Sequence, residues 1–163
     1  MKLLLSLIAA FLLAMTSGYA QTVSVVTFDQ LDSMTRNTGD TIVVFNFWAT
    51  WCKPCVQEMP AFDSLHRVYA DRKVRVVFVS LDFLSQLDKR VRPFVEKRKF
   101  MSPVLLLNAP DPNSWIDRVS PEWSGSIPAT LIVGTARNIR NFYEREFTFE
   151  ELSSIIQPLV EVR

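Results

Sequence analysis

The sequence predicts an α/β layer sandwich, and three observations lead to that fold class. Apolar, β-branched runs typical of buried strands alternate along the chain with stretches whose apolar residues recur at helical spacing. Strands that alternate with helices in this way pair through parallel crossovers. Near its end the chain has two strand-like runs around a short turn and then one more amphipathic stretch, which predict a hairpin and a packed last helix.

The first half of the chain contains two predicted strands and two predicted helices. A strand-like run, "VSVVTF", precedes a helix from Phe28 to Met34, which "NTGD" ends. The run "TIVVFNFWA" is nearly continuous in β-branched and aromatic residues, as in a strand buried on both faces. From Cys55 to about Asp71, apolar residues recur at steps of three and four and predict an amphipathic helix.

The second half continues the alternation. "KVRVVFVSLD" predicts a buried strand, "FLSQLDKRVRPFVEKRKF" a helix that Pro93 kinks or begins, and "PVLLLN" the next strand. The Pro- and Ser-punctuated residues 109–126 have room for one short helix. "ATLIV" and "IRNFYEREF" form the predicted hairpin around the turn "TARN". The closing helix starts with a capping box, Thr148 and Glu151, and Pro158 is expected to kink or end it.

The first twenty residues have the pattern of a secretory signal peptide. Lys2 is followed by the apolar residues 3–15 and by small residues at the spacing of a cleavage site. We expect cleavage before Gln21, export to a bacterial periplasm, and one domain over residues 21–163. An uncleaved membrane anchor is the alternative, but an apolar run over residues 3–15 is shorter than the roughly 20 residues that span a bilayer.

The balance of charge argues against two classes of partner. Lys2 is the only charge in the expected signal peptide, so 17 of the 18 basic side chains remain beside 17 acidic ones. A balanced chain without a basic block gives no electrostatic reason to expect nucleic acid or an anionic membrane surface as a partner. We expect a monomer with one core of its own.

Both cysteines of the chain stand in one motif, "WATWCKPC", where a predicted strand meets a predicted helix. In a helix that begins near Cys52, positions 52 and 55 have Cα atoms about 5 to 6 Å apart, which is disulfide reach. Cys52 is the predicted nucleophile, because a helix N-terminus favours the thiolate, and Lys53 adds a cation while Pro54 suits the first turn. Cys55, one turn inside, is the predicted thiol that resolves a mixed disulfide.

Two structural interpretations of the cysteine pair are weaker. As a staple, a bridge across so short a loop contributes only about 2 kcal/mol, against about 4.7 kcal/mol for a 100-residue loop. A zinc site would need two further ligands, and the chain offers only His66, so we expect no metal. His66, within the amphipathic stretch, fits a partly exposed structural histidine.

The motif "FNFWATWCKPC" followed by "EMP" resembles the thioredoxin superfamily, and within it the exported TlpA/ResA-like thiol-disulfide oxidoreductases. Pro60 resembles the kink proline of that family's active-site helix. "SIPAT" resembles the loop that carries its cis-proline, here Pro128 after Ile127. Residues 83–108 resemble the extra helix and strand of the TlpA-like branch. The resemblance implies a thioredoxin-like three-layer sandwich, with a central mixed sheet and helices on both faces.

The resemblance also implies disulfide reduction in protein substrates, with no cofactor beyond the Cys52–Cys55 pair. Ile127 and Pro128 would offer backbone hydrogen bonds to the substrate, and Trp51 would border the docking surface. Electrons would come from a membrane-bound thiol carrier. One substrate of the family is the haem-binding CxxC of immature c-type cytochromes.

One departure from thioredoxin itself concerns a buried acid. Thioredoxin carries an aspartate six residues before its first cysteine, where this chain has Asn46, which cannot accept a proton. Glu58, three residues after Cys55, matches a glutamate of ResA-like members, and a carboxyl with a pKa raised by burial could relay the proton of the resolving thiol. The alternative is an ordinary helix glutamate near a favourable dipole end.

Two other functions stay open at this point. A binding or scaffold module of the export compartment would keep its disulfide closed. A thiol peroxidase would share the thioredoxin-like fold but needs a threonine three residues before its cysteine, where this chain has Ala49.

Overall fold

The computed structural model describes residues 22–161, in which six strands and five α-helices alternate. The strands are β1 Val23–Val26, β2 Ile42–Trp48, β3 Val74–Ser80, β4 Val104–Leu107, β5 Ala129–Gly134 and β6 Ile139–Tyr143. The helices are α1 Phe28–Arg36, α2 Lys53–Val68, α3 Arg92–Arg98, α4 Ile116–Val119 and α5 Phe149–Glu161. Within residues 22–161, no helix has the length and apolar character needed to cross a membrane. The predicted signal peptide and its cleavage site lie outside the described residues.

The strands form one mixed sheet in the order β1-β4-β3-β2-β5-β6. On one side of β2, strands β3, β4 and β1 run parallel to it, as the predicted crossovers require. On the other side, β5 and β6 form the predicted hairpin and run antiparallel. In register, Trp48 at the end of β2 lies opposite Ser80 of β3, and Asn46 lies opposite Thr130 of β5.

The sheet is covered on both faces, because β2 alternates large apolar side chains toward each of them. On one face, the buried residues of β2 and β3 pack against α2, α3 and α5, with Trp48, Phe62 and Ile156 among them. On the other, Phe47 packs with α1 and α4 and with Trp123, whose ring lies 4.7 Å from its own. Two apolar layers therefore separate the sheet from its helices.

Several element boundaries differ from the prediction. α2 begins at Lys53, before Cys55, and ends at Val68, since a 3-10 turn at Ala70–Arg72 replaces its predicted last turn. The segment after β3 is not one helix: a 3-10 turn at Leu84–Gln86 and a π-turn at Leu87–Val91 precede α3.

The prolines of the two later helices act differently. Pro93 lies in the first turn of α3, directly after the π-turn at Leu87–Val91, and so marks the point where the wider turn gives way to the α-helix. Pro158 does not end α5, which continues to Glu161. The carbonyl of Ser154, four residues before Pro158, loses its helical donor there, but Ser154 is exposed and water can replace that donor. The capping box of Thr148 and Glu151 at the start of α5 is present as predicted.

Two side chains fix α2 against the rest of the fold. Asp63, which is buried, accepts hydrogen bonds at one carboxylate oxygen from the N–H groups of Met101 and Ser102, at 2.8 and 2.9 Å. Nδ1 of His66 accepts the N–H of Val76 in β3 at 3.0 Å. Burial and the neighbouring Arg75 lower the pKa of His66, so the neutral ring that this bond requires is favoured. The helix that carries both cysteines is thereby held at a fixed position on the sheet.

Candidate active site at the N-terminus of helix α2

Cys52 and Cys55 form a disulfide at the N-terminus of α2, with their Cα atoms 5.3 Å apart. Cys52 is the N-cap residue, and its sulfur accepts the N–H of Cys55 at 3.3 Å. Its carbonyl accepts the N–H of Val56 at 3.1 Å, which begins the helical ladder. The sulfur of Cys52 therefore lies at the positive end of the helix, where a thiolate is stabilised once the disulfide is reduced.

The two sulfurs differ in exposure. Cys52 is 5% exposed and Cys55 is fully buried. The neighbours of Cys52 reach further into solvent, since Trp51 is 64% exposed and Lys53, at the first position of α2, is exposed as well. A partner sulfur can approach Cys52 from this side, whereas Cys55 is shielded by the core.

The loop before β5 lies beside the disulfide, although it is distant from Cys52 along the sequence. The peptide between Ile127 and Pro128 is cis, and the carbonyl oxygen of Ile127 lies 3.8 Å from the sulfur of Cys52. Sequence reasoning did not identify Glu144, whose carboxylate accepts the N–H groups of Ser124 and Ser126 and holds this loop. Glu144 carries no local signal in the sequence, because its partners are 18 and 20 residues away.

Glu58 lies one turn after Cys55 on α2 and is buried, with 5% of its surface exposed. One carboxylate oxygen accepts a hydrogen bond from Nδ2 of Asn46 and the other from the N–H of Phe147, both at 2.8 Å. Loss of solvent on burial raises the pKa of Glu58 to about 7, and it outweighs these two hydrogen bonds, which lower the pKa. Glu58 is thus not an exposed helix glutamate.

Asn46 is fully buried on β2 between Glu58 and β5. Its Nδ2 also lies 3.5 Å from the hydroxyl of Thr130, while its Oδ1 has no hydrogen-bond partner among the described residues. A half-turn of the amide would offer Oδ1 to a protonated Glu58. The amide can therefore serve the carboxylate as a donor and the carboxylic acid as an acceptor.

A second buried carboxylate, which sequence reasoning also missed, lies behind the cysteine turn. Asp82 is 3% exposed, and its oxygens accept the N–H of Thr50 at 2.9 Å, the hydroxyl of Thr50 at 2.6 Å and the hydroxyl of Ser80 at 2.8 Å. The pairing register of β2 and β3 explains why Thr50 and Asp82 meet. Trp48 lies opposite Ser80, so the residues two positions beyond each strand end, 50 and 82, lie side by side.

Comparison with known proteins shows the family to which this chain belongs. Residues 20–142 match the AhpC/TSA family, which is more than half of the chain. The chain belongs to the AhpC/TSA family. In this AhpC/TSA family member, Ala49 is fully buried before Cys52, so position 49 offers no hydroxyl to the site.

Curated relatives match parts of this AhpC/TSA family chain. Over 64 residues, 39% of this chain and 37% of the relative, it is 47% identical to the thioredoxin-like protein YneN of Bacillus subtilis. Over 117 residues, 72% of this chain and 62% of the relative, it is 26% identical to the thiol-disulfide oxidoreductase ResA of Bacillus cereus. The matches thus span less than two thirds of these relatives.

Solved structures share the fold. A thiol:disulfide interchange protein of the thioredoxin family from Chlorobium tepidum has a TM-score of 0.61 at 19% identity, over 76% of this chain and 82% of that one. StoA from Bacillus subtilis has a TM-score of 0.53 at 23% identity, over 71% of this chain and 82% of that one. These likenesses confirm the predicted thioredoxin-like fold of this AhpC/TSA family chain.

The raised pKa of Glu58 predicts a pH-dependent loss of stability. In the unfolded chain Glu58 ionises near its ordinary pKa of 4.5, but in the folded protein only near 7, so the folded state binds more protons between these values. Rising pH should therefore lower the free energy of unfolding by about 3 kcal/mol between about pH 5 and about pH 8, and Glu58→Gln should remove this slope.

Denaturant unfolding of the oxidised protein at the two pH values measures this effect. Glu96→Gln is the matched control, because Glu96 is exposed on α3. It should keep the wild-type slope. Equal slopes for the Glu58→Gln and Glu96→Gln variants would contradict the raised pKa.

Proposed function

We propose that this chain is a thiol-disulfide oxidoreductase that reduces disulfides of exported proteins. The observation that carries the proposal is the unequal disulfide at the N-terminus of α2. Cys52 is 5% exposed and lies beside the Ile127–Pro128 loop, while Cys55 is fully buried behind it. Relatives such as the ResA proteins are themselves named thiol-disulfide oxidoreductases, which supports this proposal.

The reaction needs only the two cysteines. The thiolate of Cys52 attacks one sulfur of the substrate disulfide, a mixed disulfide forms, and the other substrate sulfur leaves and takes a proton. Cys55 then loses its proton and attacks the sulfur of Cys52, which releases the second substrate thiol. The Cys52–Cys55 pair ends oxidised and the substrate has gained two electrons and two protons, without a cofactor.

The surface around Cys52 can position such a substrate. The carbonyl of Ile127, 3.8 Å from the sulfur of Cys52, is placed to accept an N–H from a polypeptide strand lying beside the disulfide. Pro128 fixes the loop before β5, and the indole of Trp51 offers an exposed apolar contact. These groups would hold the substrate sulfur near Cys52 while leaving Cys55 covered.

Glu58 is the proposed proton relay for Cys55. It follows Cys55 by one helical turn, and its carboxyl is held by Asn46 and by the backbone N–H of Phe147. A group with a pKa of about 7 can accept and return a proton near neutral pH. The side-chain amide of Asn46 can turn to match the ionised or the protonated form of Glu58. Proton transfer would then not leave a buried hydrogen-bond donor without an acceptor.

We further propose that the chain works in the periplasm after removal of residues 1–20. A membrane-bound thiol carrier would re-reduce the pair, and immature c-type cytochromes, with their haem-binding CxxC, would be among the substrates. The signal peptide pattern and the resemblance of the "WCKPC" motif to the reductase branches support this assignment. We expect the mature protein to begin at Gln21, and an intact N-terminus would contradict removal of residues 1–20. We also expect cells without the protein to contain less c-type cytochrome, and an unchanged content would contradict the proposed substrate.

The cysteine variants should separate the two roles. Cys52→Ser should abolish reduction of a protein disulfide, whereas Cys55→Ser should trap a mixed disulfide with the substrate, because only Cys52 attacks and only Cys55 resolves. Non-reducing electrophoresis measures the trapped species. Capture through Cys55 in the Cys52→Ser variant would reverse the roles, and a wild-type pair that stays closed with reductant and substrate would indicate the binding or scaffold module.

Glu58→Gln should slow the resolving step near neutral pH and flatten its pH dependence, since glutamine cannot take the proton of Cys55. Stopped-flow measurement of mixed-disulfide decay between about pH 6 and about pH 8 gives the profile. The Glu96→Gln control should follow the wild type. A Glu58→Gln profile that coincides with both would remove Glu58 from the proton pathway.

The direction of exchange should be that of a reductant. The helix N-terminus and Lys53 alone stabilise the reduced form and push the pair toward oxidant behaviour, but Ile127 before Pro128 and the "WCKPC" motif resemble reductases. We expect a reduction potential nearer about −270 mV than about −120 mV. Equilibration with glutathione measures it, and a value above about −180 mV would indicate an oxidant with the same exchange chemistry.

A further inference from the structure

We propose that Asp82 is a positioning residue of the exchange site, which ties the cysteine turn to the end of β3 and whose negative charge biases the Cys52–Cys55 pair toward the reductant side. The proposal rests on the proposed function, since it assigns to Asp82 an effect on the redox equilibrium of the same disulfide. Asp82 stands outside the cysteine motif and the Ile127–Pro128 loop. It is 3% exposed and contacts neither sulfur in the closed disulfide by a hydrogen bond.

The hydrogen-bond partners of Asp82 suit a carboxylate. Its side chain accepts three donors: the N–H of Thr50, the hydroxyl of Thr50 and the hydroxyl of Ser80. The oxygen of Ser80 accepts the N–H of Asp82 at 3.1 Å, so its single hydrogen is left for the carboxylate. A carboxylate is an acceptor only, and the donors around it match that species.

The same bonds connect Asp82 to the nucleophile. The N–H of Cys52 donates to the carbonyl of Ala49 at 3.1 Å, so residues 49–52 form one tight turn that ends at the helix N-cap. The N–H of Leu81 donates to the carbonyl of Trp48 at 2.8 Å and holds the start of that turn. Asp82 holds its middle through Thr50. The position of the Cys52 sulfur therefore depends on the end of β3.

The charge of Asp82 opposes the thiolate. Buried charges are screened less than exposed ones, and the cations on this side, Lys53 and Arg90, are both exposed, with Arg90 lining the same shallow cavity as Trp51 and Asp82. The carboxylate of Asp82 accepts the N–H of Thr50, two residues before Cys52, at 2.9 Å, and a buried anion that holds this turn disfavours a second anion at its end. Since the thiolate belongs to the reduced form, the oxidised form gains relative to it, and the pair becomes a stronger reductant.

The charge is tested with Asp82→Asn, in which one amide oxygen can still accept from Thr50 and Ser80. The matched control is Asp88→Asn, because that carboxylate is 84% exposed and pairs only with Arg92 at the surface. Equilibration of the purified protein with glutathione should shift toward the reduced form by about threefold or more in Asp82→Asn, and the thiolate absorbance of Cys52 should appear at lower pH. Asp88→Asn should match the wild type in both measurements.

The role of Asp82 in holding the cysteine turn is tested with Thr50→Val. This variant loses the hydrogen bond between the Thr50 hydroxyl and Asp82 but keeps the charge of Asp82. This variant should exchange more slowly with a protein disulfide while keeping the wild-type equilibrium with glutathione, and it tests the proposal even if Asp82→Asn does not fold. Wild-type behaviour of Asp82→Asn in the equilibrium, or of Thr50→Val in the rate, would overturn the corresponding part of the assignment. A wild-type protein that does not exchange with glutathione would instead overturn the proposed function.

Discussion

Seven residues of β2 pair with seven of β3, and this register decides which side chains meet around the disulfide. The two strands end together, with Trp48 opposite Ser80, so the turns that follow them lie side by side. One turn carries Cys52 and the other carries Asp82. On the opposite side of β2, the pairing with β5 places Thr130 against Asn46 and brings the Ile127–Pro128 loop to the same end of the sheet. The site exists because β2 and β3 end, and β5 begins, at the edge of the sheet where α2 begins.

Three carboxylates hold the segments around that end, and each does so by accepting a backbone N–H. Glu58 binds the N–H of Phe147 before α5, Asp82 binds that of Thr50 before the cysteines, and Glu144 binds those of Ser124 and Ser126 before the cis peptide. Hydrogen bonds to an ionised group are stronger than neutral ones, so such bonds can order irregular segments. The three acids differ in burial. Loss of solvent raises the pKa of Glu58 to about 7, which suits the proton relay proposed for it, while the hydrogen bonds of Asp82 and Glu144 position backbone.

Local chemistry in the sequence was enough to predict much of this architecture. The continuous apolar run of β2, the spacing of the cysteines and the capping box at Thr148 all follow from neighbours within a few residues, whereas the cis peptide at Pro128 was expected only from the family resemblance. The helix start expected near Cys52 is confirmed, with Cys52 itself as the N-cap, although cysteine is not a common N-cap residue. The roles of Asp82 and Glu144 depend on backbone partners 18 to 32 residues away, which no local pattern encodes.

The contact between Asn46 and Glu58 restricts the substitutions open to this chain. Their side chains meet at 2.8 Å in a buried space, where an amide and one acid fit together. An aspartate at position 46 would put two carboxyls within hydrogen-bond distance, and two such groups cannot both ionise there. A lineage that exchanges the acid of one position for the acid of the other must therefore pass through an ancestor with a shared proton, or through one with no buried acid at all. The substitutions that position 46 tolerates should therefore depend on the residue at position 58, and the reverse.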